Sequence, residues 1–334
     1  MLFKQLKTLL TTAVMALPLF TQAGPYSNLY VFGDSLSDTG NLSIVTGGAA
    51  PGTAQPYFNG RFSNGLVWVE TLAAQLGLTG DAAPVYLGGK NFAFAGARTG
   101  LVPPPPDFPI PGVLAQVGGI WAPATGGIAD PNALYVVVGG GNDMRDARSA
   151  PGTTAATRLA AAAAAVTNLQ NTVGLLAASG AKNILISNLP DLGLTPEAIF
   201  LGLASESTDA TNAFNGMIGG LLALEGFFAG LDIDLLDMAG TSAQVHANPG
   251  AYGVTNTLLP CNGFFGADGG FGTVGTSCSA SLFSDALHPS ALAHRLIAFA
   301  ALDALGVPEP DSLALVALAL AGIVVVRRRA QQQA

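Results

Sequence analysis

The stretch LYVVVGGGND, residues 134–143, is a continuous apolar run that ends in a glycine-rich turn with two polar side chains. A short run of β-branched and aromatic residues bounded by glycine is typical of a strand that is buried on both faces. Similar runs recur along the chain. The predicted strands are Asn28–Phe32, Asn91–Ala95, Leu134–Val138, Asn183–Ser187 and Ile233–Asp237.

Longer segments with helical patterning separate these strands. The predicted helices are Leu66–Leu76, Thr154–Ala178, Thr208–Phe228 and Pro289–Leu305. Strands that alternate with helices indicate an α/β fold with a parallel sheet, right-handed crossovers and helices on both faces. Ligands of such sheets bind beyond the carboxyl ends of the strands, so functional residues should directly follow strands. Two long stretches, Leu101–Gly112 and Asn248–Leu282, are predicted to be loops of a single domain.

The composition excludes several classes of protein. The chain has 334 residues, 50% of them hydrophobic and 10% charged, with a formal net charge of −8. Such a chain is too apolar to be intrinsically disordered. Nucleic-acid binding is excluded, because five of the basic residues lie in the terminal segments and no basic stripe remains to neutralise phosphates.

The amino-terminal segment, residues 1–23, is typical of a secretory signal peptide. Lys4 and Lys7 precede an apolar stretch from Leu9 to Phe20, and small residues end the segment at Ala23. The apolar stretch is too short for a stable membrane span. We therefore expect export of the protein and cleavage by signal peptidase.

The carboxyl-terminal segment, residues 307–334, begins with Val307-Pro308-Glu309-Pro310. An apolar run from Leu313 to Val326 follows, and Arg327, Arg328 and Arg329 close it. This three-part tail resembles the PEP-CTERM sorting signal of Gram-negative bacteria. The resemblance implies transient membrane anchoring through the tail, processing by an exosortase, and a final location at the cell surface, in the outer envelope or in the extracellular matrix.

Two cysteines, Cys261 and Cys278, lie close together in a glycine-rich stretch. In an exported chain an even, close pair favours a disulfide. Two buried free thiols are the alternative. We expect no metal site at these cysteines, because the chain has only three histidines and none lies near them.

A candidate nucleophile, Ser35, directly follows the first predicted strand in the segment Gly33–Asn41, GDSLSDTGN. A serine at the end of a strand can present its hydroxyl to a crevice, although Gly-Asp-Ser is also ordinary turn sequence. The segment is not the Gly-x-Ser-x-Gly nucleophile elbow, because Ser37 stands where the second glycine would be.

A serine nucleophile needs a base, and the chain offers His246, His288 and His294. His288 is the strongest candidate. Pro289 suits the first position of a helix, which leaves His288 on the preceding loop, and Asp285 lies three residues earlier, where it can orient the imidazole. We expect His246 in the loop after the last strand and His294 on the solvent-exposed surface of a helix, neither with a role in the chemistry.

Acyl transfer also requires donors for an oxyanion. Gly96, after the second predicted strand, offers a backbone N–H, and Asn142, after the third, offers a side-chain amide. Glycine-rich turns after strands are also common for conformational reasons alone. Asp34 and Asp143 are assigned to local hydrogen bonding.

Taken together and in this order, these segments resemble the SGNH, or GDSL, family of serine esterases and lipases. The matching blocks are Gly33–Asn41, Asn59–Gly65 with Trp68 and Glu70, Asn91–Ala97, Gly139–Asp143, Asn188–Pro196 and Asp285–Pro289. The resemblance implies a hydrolase domain over residues 24–306. Its expected fold is a flavodoxin-like three-layer α/β/α sandwich with a mostly parallel five-stranded sheet.

The resemblance also implies the roles of the site residues. Ser35 would be the nucleophile, His288 the base and Asp285 its orienting partner, while Ser35 N–H, Gly96 N–H and Asn142 would form the oxyanion hole. No cofactor or metal is implied. Many relatives have two glycines where this chain has Ala95-Gly96, so the donor at this position is open.

The substrate class remains open at this stage. A small-molecule ester, a lipid ester and an O-acetylated polysaccharide are all compatible with the motifs, and the sorting tail favours the polysaccharide slightly. A non-catalytic surface or matrix protein that retains the fold is the alternative from a different class.

Overall fold

The computed structural model describes residues 25–51, 57–101, 109–261 and 277–307. The predicted signal peptide lies outside the described residues, as does the sorting tail beyond Val307. Much of each predicted long loop also falls outside them.

A parallel sheet forms the centre of the fold. Its strands are β1 (Leu29–Phe32), β2 (Leu134–Val137), β3 (Asn183–Ser187) and β4 (Asp232–Leu236), which pair in the order β1-β2-β3-β4. The register aligns Leu29 with Leu134 and Ile184 with Ile233. The α/β class and the parallel sheet predicted from the apolar runs are confirmed.

The predicted strand at Asn91–Ala95 is wrong as a regular strand, although the segment does lie beside β1. Val31 donates its N–H to Lys90 O, and Phe92 donates to Val31 O. The Asn91 side chain accepts the N–H of Ala93, a local bond that competes with a sheet ladder. If this segment is counted as the second strand in the sequence, the strand order across the sheet is 2-1-3-4-5. This is the strand order of flavodoxin-like folds.

Ten α-helical segments surround the sheet within the described residues. They are α1 (Asn41–Val45), α2 (Trp68–Gln75), α3 (Val113–Ala115), α4 (Ala122–Thr125), α5 (Gly141–Ser149), α6 (Ala155–Ala178), α7 (Pro196–Phe200), α8 (Ala204–Ile218), α9 (Met238–Ala247) and α10 (Ala291–Ala304). A π-helical turn, Gln116–Trp121, joins α3 to α4. The short 3-10 segments are Val85–Leu87, Leu192–Leu194, Gly219–Gly226, Pro249–Tyr252 and Cys278–Ala280.

Two helical predictions need correction. The helix predicted over Thr208–Phe228 is α8 followed by a 3-10 segment that begins at Gly219-Gly220, where two residues of low helix propensity meet. Pro289 is not the first helical residue. Ser290 caps α10, because its side chain accepts the N–H of Ala293.

The two faces of the sheet support separate apolar layers. On one face Phe32, Val137 and Ile186 pack with the buried sides of α6 and α8. On the other face Val31 and Val136 pack with α2 and α10. Helix α6 is long and apolar enough to span a membrane by composition, but it packs on the sheet as a core helix. The fold is the predicted three-layer α/β/α sandwich, but its sheet has four regular strands within the described residues rather than the expected five.

A second, two-stranded parallel sheet was not predicted. It pairs β5 (Asn256–Pro260) with β6 (Ser281–Phe283). The expected disulfide between Cys261 and Cys278 is present, with a Cα–Cα distance of 5.0 Å. It links the end of β5 to the segment that enters β6. β6 in turn leads directly into the loop that carries His288.

Candidate active site

The loop after β1 presents Ser35 at the carboxyl edge of the sheet. The peptide of Gly33 is held on both sides by one side chain, since Gln116 accepts the Gly33 N–H at 2.8 Å and donates to the Gly33 carbonyl at 2.8 Å. The buried Asp38 carboxylate accepts four backbone N–H groups, among them those of Gly40 and Ala95. These bonds fix the direction in which the Ser35 side chain leaves the strand.

Ser35, His288 and Asp285 form a continuous hydrogen-bonded chain. His288 Nε2 lies 3.0 Å from Ser35 Oγ, and His288 Nδ1 lies 2.7 Å from Asp285 Oδ2. Because the carboxylate can only accept, Nδ1 carries a proton and Nε2 of the neutral imidazole is left to accept from the serine. This arrangement suits proton transfer from the hydroxyl to the imidazole.

His288 lies in the loop between β6 and α10, as the motif predicts. The carbonyl of His288 accepts the N–H of Ser284 at 2.8 Å, which closes this loop into a compact turn. The ring of Phe62 packs against the imidazole, with the ring centroids 5.0 Å apart. Backbone hydrogen bonding and ring packing therefore both restrict the imidazole.

Asp285 is buried and accepts hydrogen bonds at both oxygens. Its Oδ1 accepts the N–H groups of Leu287 and His288 at 2.8 and 2.6 Å. Burial acts to raise the pKa of this carboxyl, but the charge of His288 and the hydrogen bonds it receives outweigh burial and hold the pKa below its usual range. The group is therefore a carboxylate at neutral pH.

Tyr57 is a site residue that the sequence analysis missed. Its hydroxyl donates to Asp285 Oδ2 at 2.7 Å, beside the bond from His288. Burial, together with the charge of Asp285, raises the pKa of Tyr57, so the hydroxyl stays protonated and donates. Tyr57 belongs to none of the recognised blocks and lies 228 residues from Asp285 along the chain. No local signal therefore identified it.

Ser35, Gly96 and Asn142, the residues expected to supply the oxyanion donors, line one cleft. The N–H groups of Ser35 and Gly96 make no hydrogen bond to the rest of the described chain. Ala95 N–H is occupied by Asp38, so Gly96 is the available amide of this pair. Gly96 adopts φ +83°, which favours glycine, and a Cβ there would come 2.9 Å from Ile110. Asn142 lines the cleft with Gly96 and Ser35.

Asp34 makes the local hydrogen bond expected of it, whereas Asp143 binds a residue 44 positions away in the sequence. Asp143 accepts the N–H and the hydroxyl of Thr99. Asp34 accepts the N–H of Leu36 at 3.0 Å. Burial raises the pKa of Asp34 to about 6, although the hydrogen bond from Leu36 and the charge of His288 act in the opposite direction.

The predicted positions of the other two histidines are wrong. His294 is completely buried on α10, where its Nδ1 accepts the backbone N–H of Trp68 at 3.3 Å. The inward face of α10 packs against α2, so position 294 points into the molecule rather than to solvent. His246 lies on α9 rather than in a loop, and its Nδ1 donates to Ser242 O at 2.8 Å.

An apolar cleft of about 120 Å³ opens beside the Ser35–His288 pair. Helices α9 and α10, strand β6 and the loop after β3 form its walls. The apolar side chains that line it include Leu189, Met238, Val245, Leu282, Phe283 and Leu296. A cleft of this kind can hold an alkyl chain next to the serine hydroxyl. No cluster of three or more metal-ligating side chains occurs within the described ranges.

The fold and the matched sequence define an α/β protein of the esterase and lipase class. The GDSL-like lipase/acylhydrolase family model matches residues 29–300, and the chain belongs to this family. Residues 306–329 match the PEP-CTERM protein-sorting motif, which confirms the resemblance of the tail.

Curated relatives agree with this membership. The chain is 30% identical to the esterase EstA of Pseudomonas aeruginosa over 86% of this chain and 47% of that protein. It is 27% identical to a phosphatidylcholine-sterol acyltransferase of Aeromonas hydrophila over 71% of this chain and 66% of that protein. The chain spans about half the length of EstA and of two other curated relatives that it matches.

The comparison with solved structures returns matches of low sequence identity. Est24, a carbohydrate acetylesterase of Sinorhizobium meliloti, has 16% identity and a TM-score of 0.43 over 84% of this chain and 98% of that chain.

Proposed function

We propose that the chain is an exported serine ester hydrolase in which Ser35 is the nucleophile, His288 the general base and Asp285 the orienting carboxylate. The observation that carries the proposal is the hydrogen-bonded chain from Ser35 Oγ through both nitrogens of His288 to Asp285. Burial of the carboxylate and its four hydrogen bonds support this assignment, since they keep the imidazole in one tautomer.

Acylation begins when Ser35 Oγ bonds to the carbonyl carbon of the ester and His288 Nε2 takes the hydroxyl proton. The carbonyl π electrons move to the oxygen and form a tetrahedral oxyanion. When the oxyanion collapses, the bond from carbon to the alcohol oxygen breaks and His288 gives its proton to that oxygen. The products of this step are a free alcohol and an acyl ester of Ser35.

Deacylation repeats the sequence with water. His288 takes a proton from the water as its oxygen bonds to the acyl carbon, and a second oxyanion forms. Its collapse breaks the bond to Ser35 Oγ, which recovers the proton from His288. Every proton in both steps moves through side chains of this protein.

The oxyanion hole in this proposal comprises Ser35 N–H, Gly96 N–H and the Asn142 side-chain amide. Two backbone N–H groups without other partners and one amide beside them suit a charge that develops on the ester oxygen. Losing one such donor typically lowers turnover by about 10² to 10³.

The apolar cleft favours an ester with an apolar acyl chain, such as a lipid or an alkyl ester. An acetyl group would leave most of the apolar cleft empty, so an O-acetylated polysaccharide is the second choice of substrate. Its support is the PEP-CTERM tail, which is typical of bacteria that make exopolysaccharide.

Export is part of the proposal. The segment 1–23 would be removed by signal peptidase, and the tail 307–334 would anchor the protein until an exosortase processes it. The domain between them, residues 24–306, would then act at the cell surface, in the outer envelope or in the matrix. The disulfide suits this oxidising location.

A substrate series tests the function. Purified protein is assayed with nitrophenyl esters of increasing acyl length and with acetylated xylan, each beside Ser35→Ala. We expect hydrolysis that increases from acetate to medium-chain esters and is absent in the variant. Activity confined to the acetylated polymer would select the polysaccharide. Well-folded protein that hydrolyses none of these substrates would contradict the proposal and favour a surface or matrix role without turnover.

A further inference from the structure

An arginine outside the proposed triad, Arg145 on α5, contacts the side chain of Asn142. Arg145 Nη1 donates to Asn142 Oδ1 at 3.3 Å, and Asn142 Nδ2 donates to the carbonyl of Ala97 at 2.9 Å. A guanidinium can only donate and a carbonyl can only accept, so these two neighbours determine which end of the amide faces each of them. A flipped amide would bring two donors together at one end and two acceptors together at the other.

We propose that Arg145 is a positioning residue, which holds the Asn142 amide in the orientation that keeps its second N–H available for the oxyanion. This inference rests on the proposed esterase function and deepens it. Without Arg145, Ala97 alone would orient the amide. The contact also withdraws electron density from the amide oxygen, which strengthens the N–H as a donor.

Arg145 is itself held by Glu197 on α7. The Glu197 carboxylate accepts Nε of Arg145 at 2.9 Å and also a second nitrogen of the same guanidinium. Arg148, which is almost completely buried, donates to the same carboxylate and to Ser207 Oγ. Burial acts to raise the pKa of Glu197, but the hydrogen bonds and charges of the two arginines outweigh it and keep the group ionised. The guanidinium therefore has a rigid, charged support.

The same glutamate joins the two halves of the site. Its backbone N–H donates to the carbonyl of Ala286 at 2.8 Å, and Ala286 lies between Asp285 and His288 in the catalytic loop. The network thus connects the loop that carries the base to the helix that carries the oxyanion donor. Arg145 could therefore affect activity either by supporting the loop that carries His288 or by orienting Asn142. The test must separate these two roles.

A double-mutant cycle provides that separation. In the wild-type background we expect Arg145→Met to lower kcat by about 10- to 100-fold, as for the loss of a charge-assisted bond to a catalytic group, with KM changed by less than about twofold. In the Asn142→Ala background the same substitution should change kcat by less than about threefold, because the group it orients is gone. The control is Arg158→Ala, which removes a partly buried ion pair with Asp209 that involves none of the site residues.

Two further measurements keep the outcome decisive. Circular dichroism and thermal unfolding establish that each variant is folded. If Arg145→Met is not folded, Arg145→Lys is tested instead. Lysine keeps the charge beside Glu197 but lacks the planar fork of the guanidinium, so kcat should fall in the wild-type background only. An equal loss of kcat in both backgrounds would overturn the inference and assign Arg145 to loop structure. An unchanged kcat would also overturn it. Failure of the wild type to hydrolyse any ester would instead overturn the proposed function.

Discussion

His288 Nε2 and Ser35 Oγ lie 3.0 Å apart although 253 positions separate the two residues in the sequence. Ser35 leaves the first strand of the sheet and His288 precedes the last helix, so the contact depends on correct assembly of the whole sheet. Each partner is fixed locally, Ser35 by the bonds around Gly33 and Asp38, and His288 by its loop. Changes to these local supports should therefore alter activity.

Removal of the Tyr57 hydroxyl should leave the Asp285 carboxylate less firmly held. In Tyr57→Phe, Asp285 Oδ2 loses the bond at 2.7 Å and keeps only His288. We expect kcat to fall about tenfold, equivalent to about 1.4 kcal/mol. The donor favours the ionised form, so its loss raises the pKa of Asp285. The matched control is Tyr86→Phe, an exposed tyrosine. An unchanged kcat would show that Tyr57 has no part in the site.

Protonation of His294 should destabilise the protein in acid. Burial, with a smaller effect from the charge of His288, lowers the pKa of His294 from 6.5 to about 3. Between these values the unfolded chain binds a proton that the folded protein does not. The stabilisation is therefore complete above about pH 6.5 and is lost as pH falls, by at most about 1.4 kcal/mol per pH unit from this group.

Urea unfolding at a series of pH values measures this effect. His294→Gln retains an acceptor for the Trp68 N–H but does not titrate, so the wild type should lose stability relative to the variant as pH falls from 6.5 towards 3. Asp34, whose raised pKa gives the opposite trend between 3.8 and about 6, is present in both proteins and cancels in the difference. Parallel stability curves for the two proteins would refute the prediction.

Filling the apolar cleft should shorten the preferred acyl chain. Thr241 lines the cleft on α9, and Thr241→Trp places a large ring there. We expect kcat/KM for a decanoate ester to fall more than about tenfold while that for a butanoate ester changes less than about twofold, because only the longer chain needs the filled space. Ala243→Trp, at an exposed position on the same helix, is the control. Equal losses of kcat/KM for the two esters would show that the acyl chain does not bind in the apolar cleft.

The disulfide should stabilise both the fold and the catalytic loop. It joins Cys261 to Cys278 across 17 positions, at the start of the segment that leads through β6 to Asp285. Replacing both cysteines by alanine should lower the free energy of unfolding by about 3 kcal/mol in the loop-entropy estimate. Urea unfolding checks this value, and a reducing agent should reproduce the loss in the wild type but not in the variant. A double variant as stable as the wild type would contradict the prediction that the disulfide stabilises the fold.

Apolar runs and their alternation with helices were enough to predict the parallel sheet and the three layers. They failed at Asn91, where a side chain that binds its own backbone interrupts a ladder that hydrophobicity alone would favour. They also failed at β5 and β6, whose short and partly polar strands have no strong period.

The motifs located Ser35, His288 and Asp285 because each directly follows or precedes an element in a recognisable block. Tyr57, and the glutamate that supports Arg145, make contacts that the sequence does not encode locally. Tyr57 meets a carboxylate from the other end of the chain, and Arg145 meets a glutamate 52 positions away. The burial of His294 depends likewise on how α10 packs against α2, a relationship that one helix alone does not specify.

Covalent labelling tests the central claim most directly. The full chain is treated with a fluorophosphonate, and the modified peptide is identified by mass spectrometry in the wild type, in Ser35→Ala and in His288→Ala. The account predicts one adduct per chain on Ser35, none in Ser35→Ala, and much slower labelling in His288→Ala. An adduct on a different serine, or no adduct on folded wild-type protein, would contradict it.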